Sequence, residues 1–506
     1  MLAKALSISL FGLTGRIIEV ETDISSNLPS FVLVGLPDAS VNEAAARVRS
    51  ATTNSKLPLP GRRITVNLSP ASVPKQGSSY DLAIAISVLA AAGYFESVRV
   101  EGTVFYGELA LDGRIKPVLG VLAAVVAAKK LGIGKVVVPL ANLNEVRSVT
   151  GISVVGYDHL TQVVSDLGVE VSVVPPNHYQ TEPIQVPAEP GCFSEVLGQQ
   201  EAVAAIKLAA VGGHHLLMIG PPGAGKTMLA SRLPTILPRL SESEAIEVGS
   251  IRSLSRQENF ELSDLPPIQT PHHSASLVAM VGGGGSQLKP GLISLAHRGV
   301  LFLDEAPEFQ SSVLEALRQP LESGEITISR ASGQAKFPAR FQLVLAANPC
   351  PCGFAIGTGK SCSCSSSSRI KYLSKISGPL SDRIDLRIQL DSVNASLVTT
   401  SETGSGEKST DIRTRVMEAR AASGHRLKHT PWQLNSEVPG SYLRRELRLG
   451  KTITKSLDAA LDLQAISMRG YDRCLRLAWS IADLNGRPTP TAQDIALASY
   501  YRGADL

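Results

Sequence analysis

The chain has 506 residues, 43% apolar and 19% charged, which is too long for one hydrophobic core and predicts two to four domains. A net charge of +4 identifies no partner, and no run of eighteen apolar residues offers a membrane span, so no membrane partner is expected. Six cysteines, four of them within residues 350–364, exclude a secreted disulfide framework and point to a reducing compartment, the cytoplasm.

The opening MLAKALSISLFGLTGR is broken at Gly12 and Gly15 and reads as a first strand, not a signal peptide. Through residue 172, strand-like runs (ITVNLSP, TVFYGELAL, KVVVPL) alternate with Ala-rich helical runs (YDLAIAISVLAAAG, VLAAVVAAKKLG), an α+β or α/β domain. Residues 173–191 hold five prolines without period and read as a linker. In 192–398 the apolar runs HHLLMIG, GVLFLDE and FQLVLAAN, with helical stretches between them, predict a parallel sheet covered on both faces. Residues 399–410, rich in Ser, Thr, Gly and charge, read as a flexible linker. From 411 to 506 helical patterns dominate, with fifteen Lys and Arg against ten Asp and Glu. The fold class is α/β multidomain.

The segment Gly220-Pro221-Pro222-Gly223-Ala224-Gly225-Lys226-Thr227 follows a strand and opens a helix, the context of a phosphate-binding loop. Its glycines let backbone N–H groups close around an anion, Lys226 is placed for β and γ phosphates, and Thr227 is placed for Mg²⁺. GVLFLDEA ends a second strand in Asp304, for the Mg²⁺ shell, and Glu305, to polarise a water. FQLVLAAN ends in Asn348, a polar tip beside that pair. Arg383 in SGPLSDRIDL and Arg469 in SMRGYDRCLRLAWSIADL are candidate cations for transition-state charge.

These motifs, with VLGQQEAVAAIKLAAVGGHHLLMIG, PHHSASLVAMVGGG and ISRASGQAKFPARFQLVLAANPCPCG, resemble the ComM/YifB family over essentially the whole chain. That family lies in the magnesium-chelatase and MCM-like branch of AAA+ ATPases. The resemblance implies an AAA+ core with a small helical lid, ATP and Mg²⁺ as ligands, a homo-hexamer, and a DNA motor for branch migration in recombination and natural transformation. It makes Asn348 sensor 1, Arg383 the finger acting on the neighbouring subunit, and Arg469 sensor 2, with Arg473 and Arg476 as stand-ins. Val196 and Leu197 would border the adenine. The first domain resembles the Lon-protease-like domain, with Ser79 at the nucleophile's place. Leu122 stands where Lon has its lysine, so no amine activates the serine and proteolysis is not expected.

Residues 325–340 alternate around a Gly turn and read as a β-hairpin. The resemblance places it in a ring's pore, where Arg330 and Lys336 would meet DNA phosphates without regard to sequence; an edge hairpin with solvated charges is the alternative. Cys350, Cys352, Cys362 and Cys364 offer a tetrahedral Zn²⁺ set, although Cys-x-Cys is tighter than usual; four free thiols are the alternative. His272 and His273 read as hydrogen-bonded loop residues, with a pore or interface role as the alternative. Two rival functions stay open: a subunit that inserts metal into a porphyrin, and a remodeller of protein partners.

Overall fold

Short apolar runs in the middle of the chain have no polar face, so their strands must be covered on both sides. The computed structural model, which describes residues 2–176, 191–196, 198–255, 261–284, 288–330, 333–355, 362–376, 378–391 and 406–503, shows how. Five parallel strands lie in the order Ile268–Gln269, Val300–Leu303, Gln342–Ala347, Leu216–Ile219, Leu386–Gln389. Alternate side chains serve two cores. Leu216, Met218, Val300, Phe302, Val344 and Ala346 pack towards helices Gln200–Gly212 and Lys226–Ile236. Leu217, Leu301, Leu303, Leu343 and Leu345 pack on the other side against Val313 and Leu317. Each such Val, Leu, Met or Phe side chain contributes about 1.5–3 kcal/mol when fully buried.

The first core continues into the C-terminal helices Ser409–Leu427, Gly440–Arg445, Lys451–Asp462, Met468–Leu484 and Ala492–Arg502. Ser409 lies inside the stretch read as linker. Its hydroxyl accepts the Phe193 N–H (3.0 Å), its own N–H reaches Cys192 Sγ (3.3 Å), and Gly406 packs on Ser194. These contacts hold residues 406–410 against the core, so the linker reading fails there; 392–405 lie outside the described residues. The linker 173–191 is described only at its ends, where Val174 N–H reaches Thr161 Oγ1 at 3.1 Å.

The N-terminal sheet has seven strands, with hairpin Leu2–Phe11/Thr14–Ser25 near its centre and helix Asp81–Ala91 buried at every position. Ser79 lies just before that helix, its hydroxyl beside the Tyr106 hydroxyl. Leu122 is fully buried, and its N–H donates to Ser253 Oγ (3.2 Å) on helix Glu242–Ser253. Lys75 is buried too, but its ammonium is committed to the Gly35 and Pro70 carbonyls.

Among the described residues no helix is long and apolar enough to cross a membrane.

Candidate nucleotide site

Parallel strands point all their carboxyl ends to one edge, where ligands of such sheets collect. Strands Leu216–Ile219, Gln342–Ala347 and Val300–Leu303 are neighbours, so the residues after each of them meet in space. Gly220 N–H is tied to the Ala347 carbonyl at 3.1 Å. Gly223 and Gly225 have φ of +79° and +85°, which a side chain would strain, and the loop then delivers Lys226 to the first turn of its helix.

Lys226 is buried. Its ammonium donates to the Gly220 and Pro221 carbonyls (2.6 and 3.0 Å) and to Asn348 Oδ1 (3.1 Å). Burial lowers its pKa, while the charges of Asp304 and Glu305 oppose the shift. Thr227 Oγ1 donates to Asp304 Oδ2 at 2.6 Å, an oxygen pair of the hard type that suits Mg²⁺. Asp304 Oδ1 in turn accepts the Glu305 N–H at 2.9 Å.

Glu305 takes φ of +50°, a left-handed conformation uncommon for a residue with a side chain. Its Oε2 lies 3.3 Å from Nδ1 of His273, in the loop that follows edge strand Ile268–Gln269. His272 is the loop histidine expected, its Nδ1 bonded to Ser274 (2.8 Å to Oγ). His273 is different: it holds the carboxylate that the spacing assigns to water. Only the pairing of Ile268–Gln269 with Val300–Leu303 brings the two together, and a two-residue strand carries no periodic signal.

Val196 is buried in the core below this loop, and Gln199 Nε2 reaches the Ala224 carbonyl at 3.3 Å. Leu197 lies outside the described residues.

The arginines are elsewhere. Arg383 sits three residues before strand Leu386–Gln389, and the Asp385 and Leu386 N–H groups bond the His215 carbonyl, at the amino end of the loop strand. At about 3.3 Å per residue, the strand's length separates it from the phosphate loop of its own chain. It pairs with Glu322 and donates to the Pro379 carbonyl (2.5 Å). Burial lowers its pKa, helped by the charges of Arg318, Arg469 and Arg473. Arg383, Arg469, Arg473 and Arg476 line one open cleft with Glu322 and Asp382.

Of the sensor 2 candidates, Arg469 is 74% exposed, with Asp382 3.7 Å away. Arg473 is buried on the Ile384 carbonyl (2.9 Å) and Asp385 (3.4 Å), and Arg476 donates to the Val438 carbonyl (2.7 Å). Both stand-ins are bonded to groups of their own chain.

Beneath the cleft, His214 Nδ1 lies 3.1 Å from Asp385 and its Nε2 lies 2.8 Å from Ser480 Oγ. Burial pushes the Asp385 pKa up, but the His214 hydrogen bond and nearby positive charges hold it far below the carboxylate range. Burial drives His215 down to about 4.

The expected hairpin is present as Glu325–Arg330 and Gly333–Pro338. Ala335 and Phe337 pack with Leu10, Phe11 and Leu13 of the N-terminal domain. Lys336 is exposed and paired with Glu325 at 2.8 Å; the Arg330 side chain lies outside what the structure describes. The four loop cysteines come together, their sulfurs all within 4.8 Å of one another.

Three family models match in succession: "Subunit ChlI of Mg-chelatase" over residues 20–142, "Magnesium chelatase, subunit ChlI" over 192–398, and "Magnesium chelatase, subunit ChlI C-terminal" over 406–502. The chain is 46% identical over 503 residues to an uncharacterized Mycobacterium tuberculosis protein, covering 99% of this chain and 98% of the relative. It is 41% identical over 505 residues to the competence protein ComM of Haemophilus influenzae (99% and 97%), and 39% over 495 to the uncharacterized protein YifB of Escherichia coli (98% and 96%). A magnesium-chelatase 38 kDa subunit of Cereibacter sphaeroides is 29% identical over 178 residues, 32% of this chain and 53% of that protein. With a magnesium-chelatase-type AAA+ fold and likeness to ComM and YifB along nearly its whole length, the chain belongs to the ComM/YifB family.

Proposed function

We propose that this chain is an ATPase that works as a ring, most simply a hexamer, moving DNA in recombination or natural transformation by branch migration. The observation that carries the reading is the division of its polar groups between opposite edges of one sheet. Lys226, Thr227, Asp304, Glu305 and Asn348 stand at the carboxyl edge, and Arg383 and Arg469 at the amino edge. A neighbouring copy that docks its arginine cleft on this phosphate loop completes the site.

In that assembly the loop N–H groups and Lys226 hold the β and γ phosphates, and Asn348, already within reach of Lys226, orients the water with Glu305. Thr227 and Asp304 would hold Mg²⁺, whose charge offsets that on the phosphate oxygens. His273 keeps the Glu305 carboxylate aimed, and Arg383 stabilises charge on the transferred phosphoryl group.

DNA as the cargo is supported by the full-length likeness to a protein named for competence, whereas the Cereibacter sphaeroides chelatase subunit aligns with only a third of the chain. Binding of DNA is assigned to Lys336 and Arg330 on the hairpin, and the motor to the cytoplasm.

The test is ATP turnover with branched DNA, with a porphyrin, and with neither. Stimulation by branched DNA alone is expected. Arg330→Ala with Lys336→Ala should weaken DNA binding and flatten its salt dependence by roughly 0.7–0.9 in log–log slope for each phosphate left without its cation, with DNA-free turnover intact. Unchanged affinity and slope would assign DNA binding to the C-terminal helices or the N-terminal domain; stimulation by porphyrin would favour metal insertion.

A further inference from the structure

We propose that Cys350, Cys352, Cys362 and Cys364 bind one Zn²⁺ as a structural tetrathiolate site, and that this site braces Asn348 and the phosphate loop; the second half rests on the functional reading above.

The sulfur geometry argues for a single metal ion. Cys350 Sγ lies 3.3 Å from Cys352 Sγ and 3.7 Å from Cys362 Sγ, and Cys352 lies 3.5 Å from Cys362. A tetrahedron with Zn–S bonds of about 2.3 Å has edges of about 3.8 Å. All four sulfurs fit within 4.8 Å, too tight for a sulfide-bridged iron cluster, whose ligands must span several metal ions. No pair is a disulfide: all six cysteines of the chain are free. Nor is the group an apolar core, because only Cys350 is buried and the other three are partly exposed. Each thiol gives up its proton on binding, and soft thiolates select zinc over the hard cations that suit Thr227 and Asp304.

The position gives the site a consequence. Cys350 follows Asn348 by two residues, and the turn after it is closed by Gly353 N–H on the Cys350 carbonyl at 3.0 Å. Gly353 has φ of +84° and lies so close to Pro222 of the phosphate loop that an added Cβ would stand 2.7 Å from Pro222 Cδ. Beyond Cys364, helix Ser366–Leu373 is capped by Ser365 and returns buried Tyr372 to a hydrogen bond with the Asn348 backbone. One metal ion would therefore tie both ends of the loop behind Asn348 and fix its amide against the loop that carries Lys226.

The experiment is metal analysis of the full chain purified without chelators, followed by exchange into Co²⁺. About one zinc per chain is expected, released as four thiols react with an organomercurial, with intense thiolate-to-cobalt absorption after exchange. Cys362→Ser with Cys364→Ser should drop zinc at least tenfold, while Cys192→Ser, at a thiol remote from the set, keeps it. Wild-type protein without zinc and without a thiolate–cobalt spectrum would overturn the metal site whether or not the serine variants fold; iron in place of zinc would overturn its identity. For the brace, the double variant should lose about tenfold in turnover, at the low end for a supporting shell, with fluorescent-nucleotide affinity within threefold. Full turnover in a zinc-free variant would overturn the brace and leave the metal site standing. Turnover surviving in Lys226→Ala would instead sink the ATP reading without touching the zinc count.

Discussion

The two edges of the five-stranded sheet differ in what their polar groups hold. At the carboxyl edge Lys226, Asn348, Thr227 and Asp304 bond one another across three strands. At the amino edge Arg383 pairs with Glu322 and the Pro379 carbonyl and Arg469 lies near Asp382, while Arg473, His214 and Asp385 lock the C-terminal helices to the sheet. The amino edge also carries the docking of the N-terminal domain: Arg298, just before strand Val300–Leu303, pairs with Glu244 and Glu247 of the helix on which Leu122 and Gly120 rest. One edge thus gathers the groups of the phosphate loop, and the other docks a neighbouring domain while leaving Arg469 exposed.

The sharpest break would come at the carboxyl edge. Lys226→Ala should remove nucleotide binding, and Glu305→Gln should keep binding while turnover falls by about 10²–10⁴, the range for loss of a general base. Titration with a fluorescent nucleotide and single-turnover hydrolysis separate the two. Brisk hydrolysis by Glu305→Gln protein would take the water-activating role away from that residue.

At the amino edge, Arg383→Ala is expected to cost about 10³ in turnover with nucleotide affinity intact. Mixing it with Lys226→Ala protein should restore part of the activity, because some interfaces then hold an intact loop and an intact arginine. No recovery in mixed rings would count against an arginine acting between subunits. Arg469→Ala should likewise cost turnover without a change in Tm. Arg473→Ala, which leaves the buried Asp385 carboxylate with His214 as its remaining partner, should cost about 1–3 kcal/mol of stability. Thermal melts of the two variants decide which arginine is structural.

The smallest effect concerns the dock itself. Burial pushes Glu145 up from 4.5 to about 7, against hydrogen bonds from Ser253 and Asn142. A carboxyl whose value is raised on folding contributes fully below about 4.5, and that contribution is lost as pH rises through about 7. The melting temperature should therefore fall as pH rises from about 4.5 to about 7 and level off above, and Glu145→Gln should flatten that part of the profile; an unchanged slope would mean that Glu145 is not the titrating group.

What could be read from residues in order was local. Gly220 to Thr227 specify their loop because glycines, a lysine and a hydroxyl at fixed spacing need only a strand before and a helix after. Val300–Leu303 and Gln342–Ala347 announce buried strands by being apolar throughout, and Asp304, Glu305 and Asn348 follow from standing at their ends. Tertiary structure alone decided the rest. His273 reaches Glu305 through pairing of a two-residue strand that has no pattern to detect. Arg473 and Arg469 share one helix and one residue type, and only packing against Ile384 and Asp385 commits the first and leaves the second exposed. The four cysteines form one set only in the folded chain, which brings the pair at 362 and 364 to the pair at 350 and 352. Spacing along a chain encodes local geometry; which distant groups share a charge, a metal or a buried wall is set by how the sheet edges and helices pack.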